Sequence, residues 1–478
     1  MELFQNYVAK GAEWAWGSLT IILLVGTGIY LSIGTRFVQF RKIGTAVKSL
    51  FQKNNDQEGD ISSFQALMTS LAATIGTGNI VGVSSAIVFG GPGAVFWMWV
   101  SGTIGGATRF AEALLAVKYR VTNESGEKSG GPMYYIEHGM KERYGLNMAW
   151  LGGTFAFFGF FASFGTGNMA QANSVSQSLQ VTFGINTFIS GIIMAILAGC
   201  VILGGVKNIG KVTEKMVPTM ALMYIGGALV AIISNYQLIP YVFNLIFANA
   251  FTGAAVGGVL GTVLRMGIAR GVFSNEAGLG SAPIAHAASK NENPVTEGIT
   301  ASLSTFIATL VVCSMTAFVI LISPMVVMSE TSVMVIEESL RGAALTTVAF
   351  DALLPGVGGY IVSLGLVFFA FSTIIGWYYY GVKCAEYIGG LEIAKFYTWA
   401  WIVLVFVGAV IPLEIVWGLS DMFNGLMALP NLVGLIGLSP LVFAMLKEYD
   451  EQEALQSQCM KQVQRKPVEG IHQNKFYN

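Results

Sequence analysis

Charge is what this sequence has least of. Asp, Glu, Lys and Arg make up 11% of its 478 residues, whereas soluble domains carry about a quarter. Water cannot cover so apolar a surface, and lipid must cover much of it. Histidine and cysteine are scarce too, at three and four residues. Cys200, Cys313 and Cys384 fall in apolar stretches and Cys459 in a polar tail. No paired spacing among them suggests a disulfide framework or a zinc site. The net charge of −1 points to no nucleic acid or other polyanion as a partner. There is no Ser-His-Asp set, no paired-histidine zinc motif and no chelating cluster, so no enzyme is expected. Near the N-terminus Glu2 and Glu13 face a single Lys10. A signal peptide needs a basic start, so the first apolar stretch reads as a retained helix.

What the chain does have is long apolar runs, with 54% hydrophobic residues. A bilayer core of about 30 Å takes about 20 apolar residues per helical crossing. Such stretches occur near 15–34, 62–89, 92–119, 149–179, 184–204, 213–233, 255–288, 295–323, 357–388, 396–412 and 415–446. Eleven crossings place the termini on opposite sides. The basic residues say which side is which. Lys10 and Arg341 fall on one side, Arg109, Arg265 and Arg270 fall inside crossings, and the rest of the 26 fall on the other side. By the positive-inside rule that second side is cytoplasmic, so the N-terminus is outside and the C-terminus inside. Outside, 325–356 is expected to form an interfacial helix or cap, carrying Glu330, Glu337 and Glu338, and 237–252 to lie along the surface. The polar tail 448–478 is expected to be poorly ordered.

Two crossings are unlike the others. The first holds Gly76-Thr77-Gly78-Asn79. Gly costs about 1 kcal/mol against Ala inside a helix, and Thr and Asn are also poor helix formers. Backbone freed at mid-depth must line a protein cavity, since lipid offers it no hydrogen bonds. Freed N–H groups at the start of a half-helix suit a carboxylate, and freed carbonyls suit a cation. Close packing of helices through small residues is the plainer alternative. The second crossing runs from Arg270 through Gly271, Glu276, Gly278 and Gly280 to Pro283. A charge at the centre of a spanning helix costs about 2.5–3.5 kcal/mol, which a packing role does not offset. The two breaks lie five crossings apart, and an odd repeat inverts its topology. That is the architecture of many secondary transporters, with the binding site between the breaks. The expected fold is all-α, eleven transmembrane helices, with one N-terminal helix before a five-plus-five inverted-repeat core. Its parts would be 1–61, 62–235, 236–446 and a tail at 447–478.

Four motifs carry a family likeness: Ala73-Thr-Ile-Gly-Thr-Gly-Asn-Ile80, Gly130-Gly-Pro-Met-Tyr-Tyr-Ile136, Gly271-Val-Phe-Ser-Asn-Glu-Ala-Gly-Leu-Gly280 and Gly376-Trp-Tyr-Tyr-Tyr-Gly381. With them the chain resembles the alanine-or-glycine:cation symporters of bacteria and archaea over nearly its whole length. The resemblance implies uptake of alanine or glycine with co-transported sodium, on a leucine-transporter-like fold in a prokaryotic plasma membrane. It implies that Thr77, Gly78 and Asn79 hold the substrate carboxylate. The carbonyls of Ala72 and Ile75 and the hydroxyls of Ser372 and Thr373 would hold sodium, a hard ion that takes oxygen ligands. A Ser-Thr pair alone is weak evidence, because such side chains often bond their own helix backbone.

Bulk that selects a small substrate is expected from Phe273, beside Ser274 in the second break, and from Trp377, on the same helix face as Thr373. Phe164, Asn168 and Gln171 form a stripe with polar ends on 149–179. Each of these could equally be plain helix packing. Arg109 and Glu112, three apart, are expected to pair in a structural or gating role. Arg265, Arg270 and Glu276 need partners or water, with pairing inside their own helix or a link to Glu112 or Asp421 as the options. The runner-up is a proton-coupled amino-acid transporter of the same fold. The lack of any acidic residue or Lys between Ile61 and Val95 argues against it.

Overall fold

The computed structural model describes residues 2–51, 59–251, 261–328, 333–335, 342–411 and 414–465. Its regular structure is helical except for two short antiparallel hairpins, Val121–Thr122 with Lys128–Ser129 and Val326–Met328 with Val333–Val335. Among the described residues five helices are long and apolar enough to cross a bilayer: Lys10–Gly34, Gly205–Ser234, Pro294–Ile322, Gly358–Val410 and Gly418–Gln456. The pair Ser63–Thr74 and Thr77–Gly90 qualifies as one broken span, bent by 63°.

Local chemistry explains where the breaks fall. Ser62 Oγ accepts the Gln65 N–H and Gln65 Oε1 accepts the Ser62 N–H, both at 3.1 Å, a capping box that sets the start of Ser63–Thr74. The helix stops at Ile75 (φ −85, ψ 86) and Gly76 (φ −130, ψ −153) and resumes at Val81. In the second case Thr262–Asn275 ends at Glu276, which holds φ +55, and Gly278 and Gly280 follow at φ +87 and +84. Pro283, with φ already suited to a first turn, starts the short Pro283–Ala287 helix. The left-handed conformation costs a residue with a β-carbon about 1–2 kcal/mol, so Glu276 is held there by its surroundings.

One feature departs from the sequence-based expectations. The helix Glu414–Arg465 runs well beyond residue 446. Its extension is tied down by Arg41 and Lys42, which meet Asp450 at 2.7 and 2.8 Å, and Lys42 also meets Glu453. The expected stretches 357–388 and 396–412 are two helices within Gly358–Val410, parted where Gly389 (φ −151) and Gly390 (φ +69) leave helical geometry. The expected cap at 325–356 contains the second hairpin and the helix Ala343–Leu353; Glu330, Glu337 and Glu338 lie outside the described residues. The stretch 237–252 carries the helix Ile239–Ala250, whose Phe243 and Phe247 rings meet Trp99.

Candidate functional site

The two breaks are brought together by helix Gly358–Val410 on one side and Gly93–Lys118 on the other. Closeness comes from missing side chains. A β-carbon on Gly376 would lie 2.8 Å from the Ala73 nitrogen, so Gly358–Val410 touches the first broken helix backbone to backbone. That approach puts the next residues back, Thr373 and Ser372, against the end of the inner half-helix. Ser372 Oγ and Thr373 Oγ1 donate to the Ala72 carbonyl at 3.2 and 3.0 Å. Each hydroxyl also reaches the Phe369 carbonyl of its own helix, at 2.8 and 2.9 Å. Four oxygens therefore converge there: Ala72 O, Phe369 O and the two hydroxyls. Ala72, Ile75, Ser372 and Thr373 are all buried, and a hard cation is the natural ligand for such a cluster.

In the break itself the Gly76 N–H donates to Asn79 Oδ1 at 3.1 Å, and the Thr77 N–H to Gln171 Oε1 at 3.3 Å. Asn79 Nδ2 donates to Ser274 Oγ at 2.8 Å and to the Ala308 carbonyl at 3.0 Å. Asn79 thus links the first break to the second and to the helix Pro294–Thr305 with its continuation. Thr77 Oγ1 is buried with no hydrogen-bond partner among the described atoms, so this hydroxyl is available to a ligand. Phe273 lies over Gly78, where a β-carbon would come within 2.9 Å of its Cδ1.

Of the aromatic and amide stripe on 149–183, only Gln171 faces the break. The Phe164 ring packs instead on Tyr397 and Trp401, with centroids 4.8 and 5.9 Å away, and Asn168 Nδ2 donates to the Trp401 carbonyl at 2.9 Å. The physical reason is the turn at 163–169, a π-type widening that rotates Gln171 relative to the residues before it. Trp377 packs its β-carbon against Gly167 and donates from Nε1 to Glu276 Oε1 at 2.8 Å.

Arg109 and Glu112 grip the second break from Gly93–Lys118. Arg109 Nη1 lies 3.4 Å from Glu112 Oε2, both side chains fully buried. Arg109 Nη2 donates to the Asn275 carbonyl at 2.5 Å, the end of one half-helix. Glu112 Oε1 accepts from the Gly278 and Gly280 N–H groups at 3.0 and 3.2 Å and from Asn431 Nδ2 at 2.8 Å. Freed carbonyl and freed amides each meet the charge they need. Arg270 and Glu276 do not pair with each other. Arg270 Nη2 lies 3.9 Å from Asp421 Oδ2, because one helical turn and the left-handed bend point the two side chains apart. Arg270 and Asp421, with Glu13, Trp16 and Arg265, border a cavity of about 170 Å³ that Phe273 also lines.

Sequence reasoning passed over Asn431, Ser281, Ala308, Ser70 and Tyr380, which meet or face these breaks. Asn431 next to Pro430 in an apolar crossing was the visible signal. Ala308 acts through its carbonyl, which no side-chain pattern announces.

Two facing helix breaks, one ringed by oxygen atoms and both buried, define a polytopic secondary transporter rather than an enzyme. The fold agrees with a solved transporter: Mhp1, of the nucleobase-cation-symport-1 family, in a closed conformation with bromovinylhydantoin bound, superposes with a TM-score of 0.50 over 84% of this chain and 81% of that one, at 13% identity. The chain belongs to the sodium:alanine symporter family, which matches residues 1–464. Among its relatives the sodium/alanine symporter AgcS of Methanococcus maripaludis is 48% identical over 451 residues, 94% of this chain and 98% of that protein. A probable sodium/glutamine symporter, GlnT of Bacillus subtilis, is 37% identical over 95% of this chain and 92% of its own length. A putative sodium/proton-dependent alanine carrier, YrbD of the same organism, is 37% identical over 94% and 93%.

Proposed function

We propose that this protein imports a small neutral amino acid, alanine or glycine, together with sodium by alternating access. The observation that carries this reading is the convergence of the Ser372 and Thr373 hydroxyls on the Ala72 carbonyl. Sodium would take these oxygens and the neighbouring Ile75 carbonyl. The substrate carboxylate would take the amides and side chains at Thr77, Gly78 and Asn79, with Gln171 and Ser274 beside it. Phe273 and Trp377 would leave room for a methyl group and little more, while Phe164 and Asn168 would brace the wall behind. Eleven crossings in a five-plus-five repeat, with the N-terminus outside, suit this reading, and they make the cavity bordered by Arg270 and Asp421 an outer vestibule with Phe273 at its floor. Arg109 and Glu112 would keep the second break open as a rigid frame.

The test is uptake of labelled alanine and glycine into proteoliposomes. Uptake is expected with an inward sodium gradient and is expected to vanish in choline. Equal uptake in choline under a pH gradient would replace sodium by protons as the coupling ion. A competition panel of amino acids, glutamine included, then ranks substrates.

A further inference from the structure

Glu276 is a buried carboxylate with a missing countercharge. It is 3% exposed. Trp377 Nε1 and Ser281 Oγ donate to its two oxygens at 2.8 and 2.7 Å. Neither donor carries charge. Among the described residues no Lys, Arg or His nitrogen comes within ion-pair distance of it. The cation nearest by sequence, Arg270, faces Asp421, and the buried Arg109 is already held by Glu112 and the Asn275 carbonyl. With both carboxyls ionised, Arg109, Glu112 and Glu276 together leave this part of the protein one positive charge short. A bare carboxylate in such a place is costly, and a buried carboxyl is paired, bound to an ion or protonated.

Two more groups point the same way. Ser70 Oγ, on the inner half of the first broken helix, and Tyr380 Oη, two turns beyond Thr373, are both buried; they lie within hydrogen-bond reach of each other but without good alignment, and neither has another partner among the described residues. Tyr380 lies within electrostatic reach of Glu276 and beside Ser70, and its ring packs on Trp377 with centroids 5.5 Å apart. Two buried hydroxyls with only a poorly aligned contact between them keep lone pairs open to a further ligand. The Glu276 carboxylate, Ser281 Oγ bonded to it and Tyr380 Oη within its electrostatic reach, with Ser70 beside the tyrosine, are oxygens suited to a hard monovalent cation and come from three separate elements.

We propose that Glu276 is the anionic ligand of a second cation site, separate from the oxygen cluster at Ala72, and that the ion it takes is sodium. This rests on the sodium-coupled reading above. The same chemistry would accept the ammonium group of the amino acid, and the experiment separates the two sources. An ion there would tie the first broken helix, the second break and Gly358–Val410 together, and its departure would free them to move apart.

The experiment measures radiolabelled sodium and labelled alanine entering the same proteoliposomes, with alanine binding at saturating sodium in parallel. Glu276→Gln keeps the shape and a hydrogen-bond acceptor while removing the charge. It is expected to carry one sodium ion fewer per alanine and to lose steepness in its sodium dependence, with alanine affinity at saturating sodium unchanged. Unchanged sodium stoichiometry with weakened alanine binding would keep the cation site and assign it to the substrate ammonium. Wild-type stoichiometry, sodium dependence and alanine affinity in a folded Glu276→Gln protein overturn the proposal. Should that variant fail to fold, Tyr380→Phe decides: a raised sodium half-saturation supports the site, and an unchanged one overturns it. Absence of sodium-dependent uptake by the wild-type chain would instead refute the coupling itself.

Discussion

The ring of Phe273 lies directly against Gly78, so close that a β-carbon there would stand 2.9 Å from Cδ1 and 3.1 Å from Cε1. The cavity that Phe273 lines and the first break are therefore in contact through a missing side chain. Gly78→Ala must push the ring away, and overpacking of this kind costs about 1–3 kcal/mol. Alanine uptake per folded protein is expected to fall about tenfold. Adding Phe273→Leu, which returns the space, is expected to recover part of it. Uptake normalised to the monodisperse fraction checks both.

Thr373→Ala removes a hydroxyl that contacts the Ala72 carbonyl at 3.0 Å. A hydrogen bond or ligand bond to a charged group is worth about 1.5–3 kcal/mol, so sodium half-saturation should rise about tenfold or more. Thr373→Ser keeps the oxygen and should stay near wild type. Sodium titration of alanine uptake distinguishes them, and equal values for Ala and Ser would remove Thr373 from the ion site.

Glu112→Ala leaves the Arg109 guanidinium and the Gly278 and Gly280 amides without their common acceptor. Removing one partner of a buried pair costs about 3–5 kcal/mol. Loss of folded protein is expected, seen as a lowered midpoint of thermal unfolding in detergent. Glu112→Gln can still accept a bond and is expected to be the milder change.

Near the C-terminal end of Glu414–Arg465, Asp450→Asn weakens the contacts with Arg41 and Lys42 at 2.7 and 2.8 Å. Asp450 is a quarter exposed, so solvent screens the pair and the effect is about 1 kcal/mol or less. Faster protease cleavage between 447 and 465 is expected in the variant at low ionic strength. In high potassium chloride the difference from wild type should shrink, because salt screens exposed charges.

The sequence by itself determined that the chain is apolar, helical and broken at Gly76–Asn79 and within Gly271–Gly280; the structure narrows the second break to Glu276–Gly280 and leaves Phe273 and Ser274 in the last turn of the helix before it. Composition and helix propensity are local properties, readable without partners. It also named the residues most able to bind: Thr77, Asn79, Ser372, Thr373 and Gln171 are polar groups in apolar crossings. Only the tertiary structure decided which of them meet. Gln171 turns into the break while Phe164 and Asn168 turn away, because a π-type turn at 163–169 shifts the helical phase. Arg270 finds Asp421, 151 positions on, and leaves Glu276 to Trp377 and Ser281. Helical spacing says which side chains share a face. It does not say which distant helix that face meets, and at this site the pairing of charges depends on that meeting.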